Sequence, residues 1–311
     1  MASCVNGILT VHNRRLMDFP LKTLRDALRG KDFAVVGQLR LHQDHGRDDL
    51  IRQAECLSPA VDAVAVTDNP YGLVHMSGLA AASILLHRGI DPVLQISARD
   101  RNRIALKSEL LGAAALGVTS LVLQRGNKLP KDGQPQVKEV FDTGAKKFLA
   151  AAKQLSSFQV AQGSPELFLG TMATVFDPDD GWQPTEIKAK VEAGAQFVQT
   201  QACLNVALLR RYMKFLVAAQ VARRCHVLVS VPLLASVESA RWLAAHHRGA
   251  VIPDGLVGQF KRAEDPEAFG ITLCAETLQA IREIPGVGGV NLSTTGNPEA
   301  IVAAVNQAAL G

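Results

Sequence analysis

The chain has little net charge and no long apolar run, and both absences exclude broad classes of function. Its 33 basic and 29 acidic residues give a formal charge of +4, interleaved without a basic stripe that could follow nucleic acid. The longest apolar stretches, such as residues 110–118, fall well short of the roughly 20 residues that cross a bilayer. We therefore expect neither nucleic-acid binding nor membrane binding.

Signals for export, metal binding and common catalytic motifs are also missing. The N-terminal sequence lacks the charged start, apolar run and cleavage pattern of a signal peptide, so we expect a cytoplasmic protein. The five cysteines are scattered singly, which favours free thiols. The pairs His42/His45 and His246/His247 have no third ligand at metal-site spacing, which favours surface residues. Neither a glycine-rich phosphate loop nor a G-x-S-x-G nucleophile elbow is present.

Short β-branched runs alternate along the chain with helical patterns of about ten residues or more. The predicted strands are 33–38, 61–67, 92–97, 119–124, 166–171, 196–200, 226–231 and 287–292. The predicted helices are 47–57, 76–88, 101–116, 143–155, 184–193, 205–222, 236–247 and 298–309. Strict alternation predicts parallel strands, and eight such units close most naturally into a (β/α)8 TIM barrel of the α/β class. An open doubly wound sheet is the alternative.

One domain accounts for this pattern, because no linker or change in composition interrupts it. We expect residues 1–30 to form an N-terminal extension with a short amphipathic helix at 21–29, and residues 31–311 to form the barrel. The long segment 248–284 is expected to hold extra helix before the last strand.

In such barrels the carboxyl ends of the strands form the active face, so polar residues there are candidate site residues. Arg125, Gly126 and Asn127 end strand four with a cation, a flexible residue and an amide. This set suits an anionic or heteroaromatic ligand, but it also suits an ordinary turn in which the amide caps a helix.

Two further segments at this face carry the same ambiguity. The charged run 99–103 is typical of a solvated helix start with self-paired charges, although its arginines could also anchor phosphate or carboxylate groups. Gln201 lies at the end of strand six, where an amide that needs both donors and acceptors favours a ligand.

Four segments in order resemble the methylenetetrahydrofolate reductases. They are "VAVTDNP" at 64–70, the run from Met76 to Asn127, "KVEAGAQFVQTQ" at 190–201 and the segment from Asp265 to Leu292. The resemblance implies a (β/α)8 barrel that binds FAD at the strand ends, where NAD(P)H and methylenetetrahydrofolate bind in turn. The flavin would pass a hydride to the one-carbon unit and give methyltetrahydrofolate.

The resemblance also implies roles for individual residues. Thr67 would contact the flavin or nicotinamide, and Gln95 would lie near the isoalloxazine. Arg125 and Gly126 would contact FAD. Lys190 would approach the FAD phosphates, and Gln201 would face both the nicotinamide and the pterin.

The sequence departs from the family where acids are expected. Gln38 stands at the place of the glutamate that acts as general acid, and glutamine cannot donate a proton at neutral pH. Asn127 replaces an aspartate that influences the flavin and the pterin, and Asn205 replaces another; Gln95 replaces a histidine. We therefore expect Gln38 and Asn127 to hold catalytic positions with altered chemistry. The protein is expected to bind folate and flavin but to run the standard reduction poorly, unless Asp44, Asp48 or water replaces the missing acid.

Three functions are compatible with these residues. The first is an FAD- and NAD(P)H-dependent oxidoreductase that interconverts 5,10-methylenetetrahydrofolate and 5-methyltetrahydrofolate. The second is a catalytically impaired folate-binding barrel acting as a partner subunit, and the third is a flavin-free methyltetrahydrofolate-dependent methyltransferase. A tetrahydrofolate derivative is the expected ligand of each, and the chain is compatible with a homo-oligomer.

Overall fold

The computed structural model describes residues 21–129, 137–160, 164–246 and 249–310, with the side chains of 159 and 160 left out. Eight parallel strands pair in chain order and close into a barrel. They are β1 (Ala34–Gln38), β2 (Ala63–Val66), β3 (Pro92–Ser97), β4 (Ser120–Gln124), β5 (Phe168–Ala173), β6 (Phe197–Ala202), β7 (His226–Leu233) and β8 (Gly289–Thr294). The predicted TIM barrel is confirmed, and the open sheet is excluded.

In the described ranges, one helix precedes β1, and the others follow the strands and surround the barrel. They are α1 (Leu24–Gly30), α2 (Arg47–Leu57), α3 (Gly78–His87), α4 (Arg103–Leu116), α5 (Ala145–Val160), α6 (Thr185–Glu192), α7 (Val206–Ala218), α8 (Val237–His246), α9 (Leu256–Arg262), α10 (Pro266–Arg282) and α11 (Pro298–Gln307). None of the helices in the described ranges combines the length and apolar content that crossing a bilayer requires.

Each predicted helix has a counterpart, and the main difference concerns α7. The helical pattern predicts residues 205–222, but α7 ends at Ala218 and a separate 3-10 turn covers Val221–Arg223. Gln220 between them adopts a left-handed conformation, with φ of 59°. That conformation is incompatible with a continuing α-helix, so the chain turns there to enter β7.

The segment between β7 and β8 holds α8, α9 and α10, as expected from its length. Asp265 begins α10 by accepting hydrogen bonds from the backbone N–H groups of Glu267 and Ala268, both at 3.0 Å. Gly270 in this helix lies against the Leu234 carbonyl, where a Cβ would come within 1.7 Å of the oxygen. The close contact fixes α10 against the end of β7.

Two apolar layers fill the barrel and its surroundings. The larger layer lies between the strands and the helices, and includes Val35, Leu94 and Leu121. The smaller layer lies inside the barrel, and includes Val36, Val93 and Val122. Since side chains alternate across a strand, these residues define which positions face inward.

Helix α1 closes the amino-terminal end of the barrel. Leu24 and Leu28 belong to the inner apolar layer. A capping box between Thr23 and Asp26 begins the helix, and the Leu24 N–H donates to the Asp91 carboxylate at 2.7 Å. The amphipathic helix predicted at 21–29 is thus a plug; the domain boundary at residue 30 stays a prediction, and residues 1–20 lie outside the described ranges.

Asp91 makes this plug sensitive to pH. Burial raises the pKa of its carboxyl from 3.8 to about 7, against the opposing effect of the Leu24 N–H. Because the pKa is higher in the folded protein, the carboxyl contributes fully to the free energy of unfolding below about pH 4. This contribution is lost as pH rises from about 4 to above 7. We expect Asp91→Asn, which keeps an acceptor for the Leu24 N–H, to be more stable than the wild type at pH 8. Its free energy of unfolding, measured in urea, should also change less with pH than that of the wild type.

Asp62 offers a matched control at the start of β2. It accepts from the Val35 N–H at 2.9 Å, but it also pairs with Lys31 at 2.6 Å. Asp62→Asn is therefore expected to lower stability at pH 8. An Asp91→Asn variant that is less stable than the wild type at pH 8 would contradict the assignment.

Candidate active site at the barrel mouth

The inward-facing residues in the carboxyl-terminal half of the barrel are mostly amides and hydroxyls. The polar ones are Gln38 on β1, Gln95 and Ser97 on β3, Gln124 on β4, Gln199 and Gln201 on β6, Ser230 on β7, and Asn291 and Ser293 on β8. None of the inward-facing strand residues in this half is ionisable. The inner wall of the mouth therefore carries many hydrogen-bonding groups and no formal charge.

Two hydrogen bonds link these groups across neighbouring strands. The Asn291 Nδ2 donates to Gln38 Oε1 at 3.2 Å, and the Gln199 Nε2 donates to Ser230 Oγ at 3.2 Å. Asn291 and Gln199 are buried, with 1% and 3% exposure, whereas Gln38 is half-buried. Gln38 thus reaches the mouth while Asn291 holds it from below.

The loop after β2 is organised by His75. Its Nε2 accepts from the Asn69 N–H at 3.1 Å and lies 3.4 Å from the Thr67 hydroxyl, so its Nδ1 is the protonated nitrogen and donates to the Met76 carbonyl at 2.7 Å. Both ring nitrogens are occupied within the chain. His75 therefore positions Thr67 and Asn69 and is not free to act as an acid.

The same loop reaches across the end of the barrel. The Tyr71 ring packs edge-to-face on Trp242 of α8, with centroids 4.9 Å apart. Gly72 lies against Leu129 after β4. Asn69 and Tyr71 both have positive φ, at 45° and 58°. This backbone conformation is costly for residues other than glycine, and the packing at both ends of the loop maintains it.

The charged run after β3 is paired within the chain. Arg99 binds Asp100, with its Nε 2.6 Å from the carboxylate, and its Nη2 donates to the Asn69 carbonyl at 2.9 Å. Arg101 forms a two-pronged pair with Asp68 at 2.6 and 3.1 Å. Self-paired charges were one of the two predicted interpretations, but Arg99 and Asp68 are buried and not solvated.

The three residues that follow β4 have separate surroundings. Arg125 is exposed, and its guanidinium stacks on the Phe141 ring at 4.2 Å from the centroid. Gly126 has φ of +83°, and a Cβ there would come within 2.3 Å of Ser97 Oγ. Asn127 is exposed, and its side chain has no hydrogen bond to the residues that the structure describes. Packing alone thus requires the glycine, while Arg125 and Asn127 remain accessible to a ligand.

Lys190 and Gln201 lie near the ends of β5 and β6. The Lys190 amine donates to the Met172 carbonyl of β5 at 3.1 Å and lies 3.6 Å from the Glu186 carboxylate. Gln201 is partly exposed and lies beside Gly249, where a Cβ would be 3.5 Å from its Cγ. Within the described ranges, no group of three or more His, Cys, Asp or Glu side chains could hold a metal ion.

Comparison with known proteins agrees with this architecture. The family model of methylenetetrahydrofolate reductase matches residues 42–309, which is most of the chain. The chain belongs to the methylenetetrahydrofolate reductase family. A comparison with curated proteins finds no significant match.

Two solved structures share the fold of this family member at low sequence identity. An uncharacterized protein from Clostridium thermocellum that binds two copies of 5-methyl-5,6,7,8-tetrahydrofolic acid has a TM-score of 0.59 and 14% identity, covering 91% of this chain and 96% of its own. EDTA monooxygenase (EmoA) from Chelativorans sp. BNC1 has a TM-score of 0.52 and 13% identity, covering 89% and 92%.

Three amides stand where the methylenetetrahydrofolate reductase pattern has acids, and each lies in a different environment. Gln38 faces the mouth, and Asn127 lies exposed at its rim. Asn205 instead begins α7, where its side chain accepts from the Leu208 N–H at 3.0 Å. Asparagine caps a helix as well as aspartate does, so the departure at Asn205 is explained by structure alone.

Sequence reasoning placed Asn291 at the strand-end face and assigned a role to Gln38, but it assigned none to Asn291, which donates to Gln38. The available signal was the alternation along β8, which places Asn291 on the same face as Ser293. Asp44 and Asp48, the predicted substitutes for the missing acid, are both exposed in the segment after β1. Their role stays a prediction.

The Asp68–Arg101 pair is expected to stabilise the mouth strongly. Asp68→Asn leaves the partly buried Arg101 with Glu109, at 3.5 Å, as its one remaining ion-pair partner among the residues that the structure describes. We therefore expect the free energy of unfolding to fall by about 3 kcal/mol, the lower end for a broken buried pair. Glu55→Gln is the control, because Glu55 and Arg88 are both about half exposed; its loss should stay below about 1 kcal/mol. Equal losses in urea unfolding would contradict the difference in burial.

Proposed function

We propose that this protein binds a tetrahydrofolate derivative at the barrel mouth and, with FAD and NAD(P)H, interconverts 5,10-methylenetetrahydrofolate and 5-methyltetrahydrofolate slowly. Family membership over residues 42–309 supports this activity. The folate bound by the Clostridium thermocellum protein supports the ligand class. A cytoplasmic location and a homo-oligomer or partner subunit stay predictions.

The neutral wall of the mouth is the observation that carries the proposal. A pterin ring is flat and polar, and it presents several donors and acceptors around its edge. Amides such as Gln38, Gln199 and Gln201 can both donate and accept, so they match this edge without requiring a change of charge. The substrate class is therefore a heterocycle recognised by hydrogen bonds.

A flavin could use two cations near the mouth, of which Arg125 is exposed and Lys190 has a mostly buried side chain. Arg125 has no acidic partner among the described residues, and the Lys190 amine is turned toward the end of β5. These two would hold the phosphates, and Thr67 would contact the ring system. When bound, the flavin would supply the hydride relay between nicotinamide and the one-carbon unit.

The glutamine at position 38 is the reason why the proposed reaction is expected to be slow. A positioned general acid contributes about 10²- to 10⁴-fold, and glutamine cannot replace it. His42 in the following loop offers little protonated imidazole at neutral pH, because burial, with Arg40 and His45, lowers its pKa. Proton transfer is left to water or to Asp44 and Asp48, so turnover is expected to be slow.

A folate-binding barrel without turnover is the second candidate. It is favoured by the buried pairing of Arg99 and Arg101, which removes two cations from any role in holding phosphates. In this case the mouth would bind folate, and the protein would act as a partner subunit.

The visible absorption spectrum of the purified protein distinguishes the two candidates. We expect flavin bands, release of FAD on denaturation, and slow NADH or NADPH oxidation that depends on methylenetetrahydrofolate. A colourless protein that still binds 5-methyltetrahydrofolate would support the second candidate. A protein that binds neither flavin nor folate would contradict both.

Gln38→Glu is expected to restore a general acid. The carboxyl would lie in an uncharged, partly buried wall, where desolvation favours the protonated form needed for donation. We expect the turnover number to rise by about 10²- to 10⁴-fold and to fall again as pH rises through the new pKa. Gln38→Ala perturbs the same position without adding a carboxyl and should gain nothing. An unchanged rate in folded, flavin-loaded Gln38→Glu would refute the missing-acid explanation.

A further inference from the structure

Asn291 contains a buried polar atom that the protein leaves without a partner. Its side chain is 1% exposed, on the inner face of β8. The Nδ2 donates to Gln38, but the Oδ1 accepts no hydrogen bond within the described part of the chain. Buried carbonyl oxygens are nearly always paired in folded proteins, so this atom calls for a specific explanation.

The Asn291–Gln38 bond also determines the polarity of Gln38. The Gln38 Oε1 accepts from Asn291, and the Gln38 Nε2 makes no hydrogen bond to the described residues. The Nε2 is therefore the group of Gln38 that can donate to a ligand in the mouth. The pair thus retains one unused acceptor, on Asn291, and one unused donor, on Gln38. A ring edge that carries an N–H beside a carbonyl or ring nitrogen complements such a pair.

We propose that Asn291 is a ligand-binding residue that, together with Gln38, recognises the donor and acceptor edge of the pterin ring. This inference rests on the proposed folate ligand and assigns the recognition to β8, a strand to which the sequence motifs gave no site residue. In this arrangement the Asn291 Oδ1 accepts an N–H of the pterin, and the Gln38 Nε2 donates to its neighbouring acceptor. Gln38 then contributes binding where a glutamate would contribute a proton.

Ser120 provides a matched internal control. Its side chain is also fully buried, and its Oγ also lacks a partner within the described ranges. Ser120, however, begins β4, in register with Val93 and Phe168 of the inner apolar layer. It lies at the amino-terminal end of the barrel, away from the mouth, so no ligand bound at the mouth can reach it.

The test compares two ligands by isothermal titration calorimetry: 5-methyltetrahydrofolate, and p-aminobenzoylglutamate, which lacks the pterin. We expect Asn291→Ala to weaken binding of 5-methyltetrahydrofolate by about 10-fold, the effect of losing one buried hydrogen bond. Binding of p-aminobenzoylglutamate should be unchanged, and Ser120→Ala should match the wild type for both ligands. Asn291→Leu, which leaves no cavity, should reproduce the loss if the alanine variant folds poorly.

Each alternative result has a distinct meaning. Wild-type affinity for 5-methyltetrahydrofolate in both Asn291 variants would overturn the inference and leave the proposed function intact. Equal losses for both ligands would assign Asn291 a structural role and also overturn it. A wild-type protein that does not bind 5-methyltetrahydrofolate would refute the proposed function itself.

Discussion

The pairing of β1 with β8 is the contact on which the site depends. It closes the barrel with Ala34 opposite Gly289, and a Cβ on Gly289 would lie 2.2 Å from the Ala34 carbonyl oxygen. Only glycine permits this approach without a shift of the backbone. Closure brings Gln38 within hydrogen-bonding distance of Asn291, although 253 positions separate them in the chain. Gln38 and Asn291, which donates to it, are thus neighbours only because the barrel is closed.

Closure also separates charge from the interior of the mouth. The charged groups near the ends of β2 and β3 pair with each other, as Asp68 does with Arg101 and Arg99 with Asp100. Burial makes such pairs costly to break. The inward-facing positions are left with neutral amides. Ion pairs therefore lie at the rim of this barrel, while the inner wall of the mouth offers neutral hydrogen-bonding groups.

The fold was predictable because its signals are local. Alternation of β-branched runs with helical patterns marks all eight strands, and parallel crossovers then restrict the topology to a few choices. The pairing of site residues was not predictable in this way. The spacing of residues in the sequence predicts neither the Asn291–Gln38 contact nor the hydrogen bonds of both His75 nitrogens. Each depends on loop conformations and strand registers that only the folded chain defines. Amide substitutions such as Asn205 show the same limit, since a helix cap and a lost catalytic acid look alike in sequence.

Under the proposed function, an amide at position 38 separates ligand recognition from proton transfer, two tasks that a glutamate can perform together. Recognition of a pterin edge needs a donor and an acceptor in fixed places, whereas opening of a methylene bridge needs a transferable proton. In that case the Asn291–Gln38 pair would preserve the first and remove the second, and the inner wall of the mouth has, among the described strand residues, no carboxylate that could restore it. A reductase with this mouth would bind its folate well and turn it over slowly, because affinity and proton transfer no longer depend on the same side chain.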